Sequence, residues 1–74
     1  MKVRYDHEAD AAYLYLVSEP QKVAETREVS DEIFIDYDTS GQPVGIEIIG
    51  VAGKVPAKTL RLFKSQTTAV SASK

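Results

Sequence analysis

Through most of its body this chain places an apolar residue at every second position, the period of a strand whose successive side chains point to opposite faces. In residues 2–6, Val3 and Tyr5 share one face. In residues 11–17, Ala12, Leu14 and Leu16 face one way and Tyr13, Tyr15 and Val17 the other. Ser18-Glu19-Pro20-Gln21 reads as a turn, because proline fixes φ and lacks a donor. Residues 23–29 follow as a largely polar strand, suited to an edge or exposed position. Residues 33–38 and 44–49 form the clearest pair, joined by the turn-forming stretch Asp38-Thr39-Ser40-Gly41-Gln42-Pro43. Ile33, Ile35 and Tyr37 match Val44, Ile46 and Ile48 on one face, with Phe34, Asp36, Glu47 and Ile49 on the other.

The pattern predicts a mainly β, β-rich α+β fold: an antiparallel meander sheet of about five strands over residues 1–50. Residues 51–66 form a basic segment expected to pack on that sheet. Within it Pro56 suits the first helical position, and Ala57, Leu60 and Phe63 then share one face. Alternation over residues 59–62 leaves an extra strand as the alternative; a short helix is preferred, although Val55 is a poor N-cap. Residues 67–74, rich in Ser and Ala with no apolar pattern, are expected to fray.

Length changes the picture first. A chain of 74 residues is one domain. At this size it buries only roughly 60% of its unfolded surface, so its own core is small. With no cysteine, disulfides and thiolate metal sites are excluded, and a single histidine disfavours zinc. Association with a second copy, a dimer, or with a protein partner is then the expected source of further buried area. No apolar run reaches the roughly 18 residues of a membrane span, and MKVRYDHEAD has acids where a signal peptide is apolar. The expected location is cytoplasmic. Charge is uneven: residues 1–49 hold 11 acids and 4 bases, residues 50–74 hold 5 bases and no acid. Such a basic segment either lies against its own acidic body or meets an acidic ligand, and the first reading needs no partner.

The stretch YDHEAD gathers the only histidine with Asp6, Glu8 and Asp10. Their spacing opens like a calcium loop, but Ala11 stands where the loop needs glycine and Val17 where it needs glutamate. No metal ligands are therefore assigned. As a turn the stretch explains itself: the Asp6 side chain can accept from amides two and three residues on. The serines lack a flanking motif, the glycines match no phosphate loop, and a small sheet has little room for a pocket. No catalytic residue and no cofactor is expected, and the chain is read as a non-enzyme.

Val3-Arg4-Tyr5-Asp6, Glu8-Ala9-Asp10-Ala11 and Tyr13-Leu14-Tyr15-Leu16 resemble the pattern YDPEADALYIRL. Residues 23–29 resemble VAETEEL, and residues 35–48 resemble VDYDEDGNLVGIEIL. In order and spacing these pieces resemble domain-of-unknown-function family 2283 over residues 1 to about 50. The resemblance implies a small prokaryotic protein with no catalytic residue to carry over. Some relatives lie beside genes that look like small toxins, which implies an antitoxin-like partner role. His7 departs from the pattern, where proline is common, and so does the basic segment after Gly50.

The leading expectation is a non-catalytic protein-interaction module that dimerises and holds a protein partner. Its interface residues are Tyr13, Tyr15, Phe34 and Ile49, because aromatic side chains anchor interfaces. The competing structural reading buries these four under the C-terminal segment. One alternative is nucleic-acid binding through a basic patch of Lys54, Lys58, Arg61 and Lys64, disfavoured by the acidic body and the lack of a binding motif. The other is a metal-binding acidic turn at Asp6, Glu8 and Asp10.

Overall fold

The computed structural model describes residues 2–19 and 21–66. Five strands form one antiparallel sheet: β1 (Lys2–Asp6), β2 (Ala11–Tyr15), β3 (Glu25–Ser30), β4 (Ile33–Tyr37) and β5 (Pro43–Ile49). A 3₁₀ turn, Val51–Gly53, and one helix, α1 (Ala57–Gln66), follow. The mainly β fold is therefore the one that the period-2 pattern predicts, and the C-terminal helix the one that Pro56 and the Leu60–Phe63 spacing predict, not the alternative strand. The expected frayed tail lies outside the described residues.

The strand order is β1-β2-β5-β4-β3, which corrects the expected meander. Sequential neighbours pair within the β1–β2 hairpin and within β3–β4–β5, but β2 pairs with β5, not with β3. The physical reason lies in composition. A central strand is flanked on both edges and half-covered on both faces, and VGIEII supplies apolar residues for both. ETREVS is exposed at all six positions and suits an edge, where charge discourages pairing with a stranger. β3 also carries a bulge between Glu28 and Ser30, a further feature of edges.

Register fixes the two faces. Val3 lies opposite Leu14, Leu14 opposite Ile46, and Ile46 opposite Ile35, so the expected aliphatic face runs across the sheet. Its β1–β2 end holds the core: Val3, Tyr5 and Ala12 are buried with Val51 and Phe63, and Leu14, Ile48, Val55 and Leu60 close around them. Helix α1 rests chiefly on β1. Leu60 and Phe63 face the core, while Ala57, expected beside them, is exposed. The Pro56 carbonyl accepts the first helical bond, from the Leu60 amide at 3.0 Å.

One acid ties the two ends of the chain together. Asp10 has φ 52°, a left-handed conformation that Asp tolerates better than most residues. Its carbonyl accepts from the amides of Gly50 (2.9 Å) and Val51 (3.1 Å). Its carboxylate accepts from the Ala52 amide at 3.1 Å and from the Tyr5 hydroxyl at 2.8 Å. The 3₁₀ turn is thus pinned to the β1–β2 hairpin, and Val51 drops into the core with no exposed surface.

Candidate interaction surface

The face opposite α1 is built from rows that cross all five strands. One row runs Lys2, Tyr15, Gly45, Asp36, Thr26; the next runs Arg4, Tyr13, Glu47, Phe34, Glu28. Ile49 lies in the row beyond, opposite Ala11. Tyr13, Tyr15, Phe34 and Ile49 therefore share this face, each half-buried. Since Leu60 and Phe63 pack on the other face, the C-terminal helix does not cover them.

Glycine at position 45 organises the centre. With no side chain on β5 there, the Tyr13 ring crosses that strand and its hydroxyl donates to Asp36 Oδ2 on β4 at 2.6 Å. Thr26 on β3 donates to Asp36 Oδ1 at 2.5 Å, so three strands share one carboxylate. Burial, then the Asp36 hydrogen bond and charge, push the Tyr13 phenol well above its ordinary value of 10.0. The phenol stays neutral and acts as a fixed donor, not as a base. Tyr15 meets Tyr13 edge-on at 4.8 Å between centroids, and the Lys2 ammonium stands 5.1 Å from the Tyr15 ring.

A shallow hollow of about 360 Å³ lies on this face, walled by Arg4, Asp6, Tyr13, Tyr15, Asp36 and Glu47. Charge across it is graded. Lys2 and Arg4 stand on β1, with Asp6 at its end, while Glu47, Asp36 and Glu28 stand on β5, β4 and β3. Among the described residues, neither Arg4 nor Glu47 makes a salt bridge; the pairs formed are Arg27–Glu25 at 2.7 Å and Lys54–Glu32 at 2.9 Å.

Of the other candidate residues, Asp6 walls the hollow and none of the rest does. In the acidic turn, Asp6 Oδ1 accepts from the amides of Glu8 (3.0 Å) and Ala9 (3.2 Å), the Asx geometry read from the sequence. Asp10 is directed at Tyr5 and Ala52, so the turn's acids do not converge. Among the described residues no three His, Asp or Glu side chains are grouped to hold a metal ion. Of the basic residues, Lys54 is engaged by Glu32, while Lys58, Arg61 and Lys64 are exposed on α1. Lys64 stands 6.0 Å from the Tyr5 ring centroid. No helix of the described residues is long and apolar enough to cross a membrane.

Two features escaped the sequence reading. The Tyr13–Asp36 bond had one signal, a glycine inside the otherwise apolar strand VGIEII, which marks a close approach. The Asp10–Ala52 tie had none, because its partners stand 42 residues apart.

An open antiparallel sheet with one helix on one face and an aromatic, charge-graded surface on the other defines a small single-sheet β protein. The chain belongs to the DUF2283 family, described as proteins of unknown function, which matches residues 2–51. That match spans the whole sheet and ends before α1. Over 50 residues the chain is also 36% identical to a peptidyl-prolyl cis-trans isomerase, CYP21-1, of Arabidopsis thaliana. The alignment covers 68% of this chain, but the chain spans only 22% of that relative. No solved structure matches the chain.

Proposed function

We propose that this protein is a small, non-catalytic protein-interaction module that self-associates, as a dimer, through the face carrying Tyr13, Tyr15, Phe34 and Ile49. One observation carries the reading: these four residues meet on one half-buried face while α1 packs on the other. In the same reading the module holds a protein partner, in an antitoxin-like role, in the cytoplasm of a prokaryote; the family resemblance supports this part. A surface for that partner is left over on the helix side. Ile33, Ile35 and Ile46 share the aliphatic face yet stand outside the cluster around Phe63, and Leu16 beside them is 40% exposed.

The test is the Phe34→Ser variant, followed by light scattering after gel filtration and by circular dichroism. The expected result is a dimeric parent and a folded monomeric variant. A variant that unfolds makes Phe34 part of the fold's own core and contradicts the reading. Nucleic-acid binding through Lys54, Lys58, Arg61 and Lys64 is the weaker reading, because Lys54 is already engaged by Glu32. The expected result with DNA or RNA at low salt is unchanged electrophoretic mobility; a retarded band that salt abolishes would favour the basic patch.

A further inference from the structure

We infer that the second copy docks face to face on this surface about a two-fold axis lying parallel to the strands, so that β1 of each copy lies over β4 of the other. The inference rests on the self-association proposed above and specifies its geometry. Two identical sheets stacked through the same face can be related by a two-fold axis in the plane between them. An axis running across the strands sets each strand over itself, which keeps Lys2 and Arg4 away from the acids of β5, β4 and β3 and leaves them only β1's own Asp6. An axis along the strands reverses the strand order and keeps each row opposite itself.

The rows show what this reversal achieves. With the axis between β2 and β5, Arg4 comes over the second copy's Phe34, between its Glu47 and Glu28. In the neighbouring row, Lys2 comes over the second copy's Asp36. Both cations then meet carboxylates and an aromatic ring, and symmetry makes each pairing twice. An axis along β5 itself would stack Glu47 on Glu47, so the offset position is selected. Arg4 and Glu47, without salt-bridge partners among the described residues, gain them across the interface. In the packed pair the strands run nearly parallel, as in aligned sheet sandwiches.

Size is consistent with a modest dimer. With β3 beyond the overlap, the four facing strands, of five to seven residues each, present roughly 19 by 20 Å. Two such faces bury about 760 Å² in projection, the size of a weak, transient pair. The dimer should therefore dissociate on dilution and weaken with salt.

The experiment is a charge swap read by sedimentation equilibrium on the full chain. Arg4→Glu and Glu47→Lys each set like charges against each other in their own homodimers. Each is expected to raise the dimer Kd by roughly tenfold or more. An equimolar mixture restores both cross-pairs, and its Kd is expected to return towards that of the parent. Circular dichroism checks folding. If Glu47→Lys does not fold, Arg4→Glu, exposed on an edge strand, carries the test through its own Kd. A dimeric parent whose folded variants associate unchanged overturns this geometry but leaves self-association standing. Weakened variants that the mixture fails to rescue overturn the pairing across the two-fold axis. A parent that stays monomeric at every concentration overturns self-association itself.

Discussion

Tyr13 shows how much one position decides. Its ring needs Gly45 beneath it, and its hydroxyl needs Asp36 beyond it. Tyr13→Phe leaves Asp36 with Thr26 as its side-chain donor and should cost about 1 kcal/mol in urea unfolding. Gly45→Ala should cost about 1–3 kcal/mol, because the added methyl overlaps the phenol and pushes it off β5. In a Tyr13→Ala background the same glycine change should cost far less, and additive losses would contradict the close approach. The phenol also sets an alkaline signature. Its folded pKa is raised above 10.0, so its contribution is full below that pH and is lost as pH rises towards the folded value. Tyr13→Phe should therefore flatten the fall in melting temperature above pH 10.0. Of this site the sequence made legible that Tyr13, Tyr15, Phe34 and Ile49 share one face, since alternation alone assigns a face. It did not reveal the reach of Tyr13 across β5, which requires knowing which strand lies next to β2.

At the scale of elements, local signals and long-range choices separate cleanly. The β4–β5 turn is local: Asp38 Oδ1 accepts from the Ser40 amide (2.9 Å), the Ser40 hydroxyl (2.9 Å) and the Gln42 amide (3.0 Å). The Gln42 amide first, then the Ser40 hydroxyl, hold the Asp38 carboxyl below its ordinary value of 3.8. Its stabilising effect is present above that pH and is lost as pH falls through the lower folded value. Asp38→Ala should accordingly reduce the acid-induced drop in melting temperature below pH 3.8, and an unchanged acid limb would contradict the turn geometry. Turns and strand positions of this kind were readable because each depends on neighbours in the chain. The β2–β5 pairing was not, because residues 16–24 are long enough to carry the chain past two strands. Nor was the depth of Val51, which follows from the remote Asp10 tie. Helix α1 lies beyond the part of the chain that the family match covers, yet Phe63 is buried in the core. Phe63→Ala should cost about 3–5 kcal/mol, enough to unfold a domain this small in mild denaturant.

Across the whole molecule, the sheet is larger than its own cover. One short helix protects the β1–β2 end of one face, while β3 is exposed throughout and the opposite face carries aromatics between unlike charges. The proposed self-association would cover the charge gradient and the half-buried tyrosines together, and would leave the aliphatic strip of Ile33, Ile35 and Ile46 open to a different protein. Everything proposed for the aromatic face depends on self-association. Sedimentation equilibrium of the unmodified protein, from low micromolar to near millimolar concentration, tests it most directly. The expected mass rises from one chain towards two with concentration and falls back when salt is added. A mass of one chain across the whole range would contradict self-association.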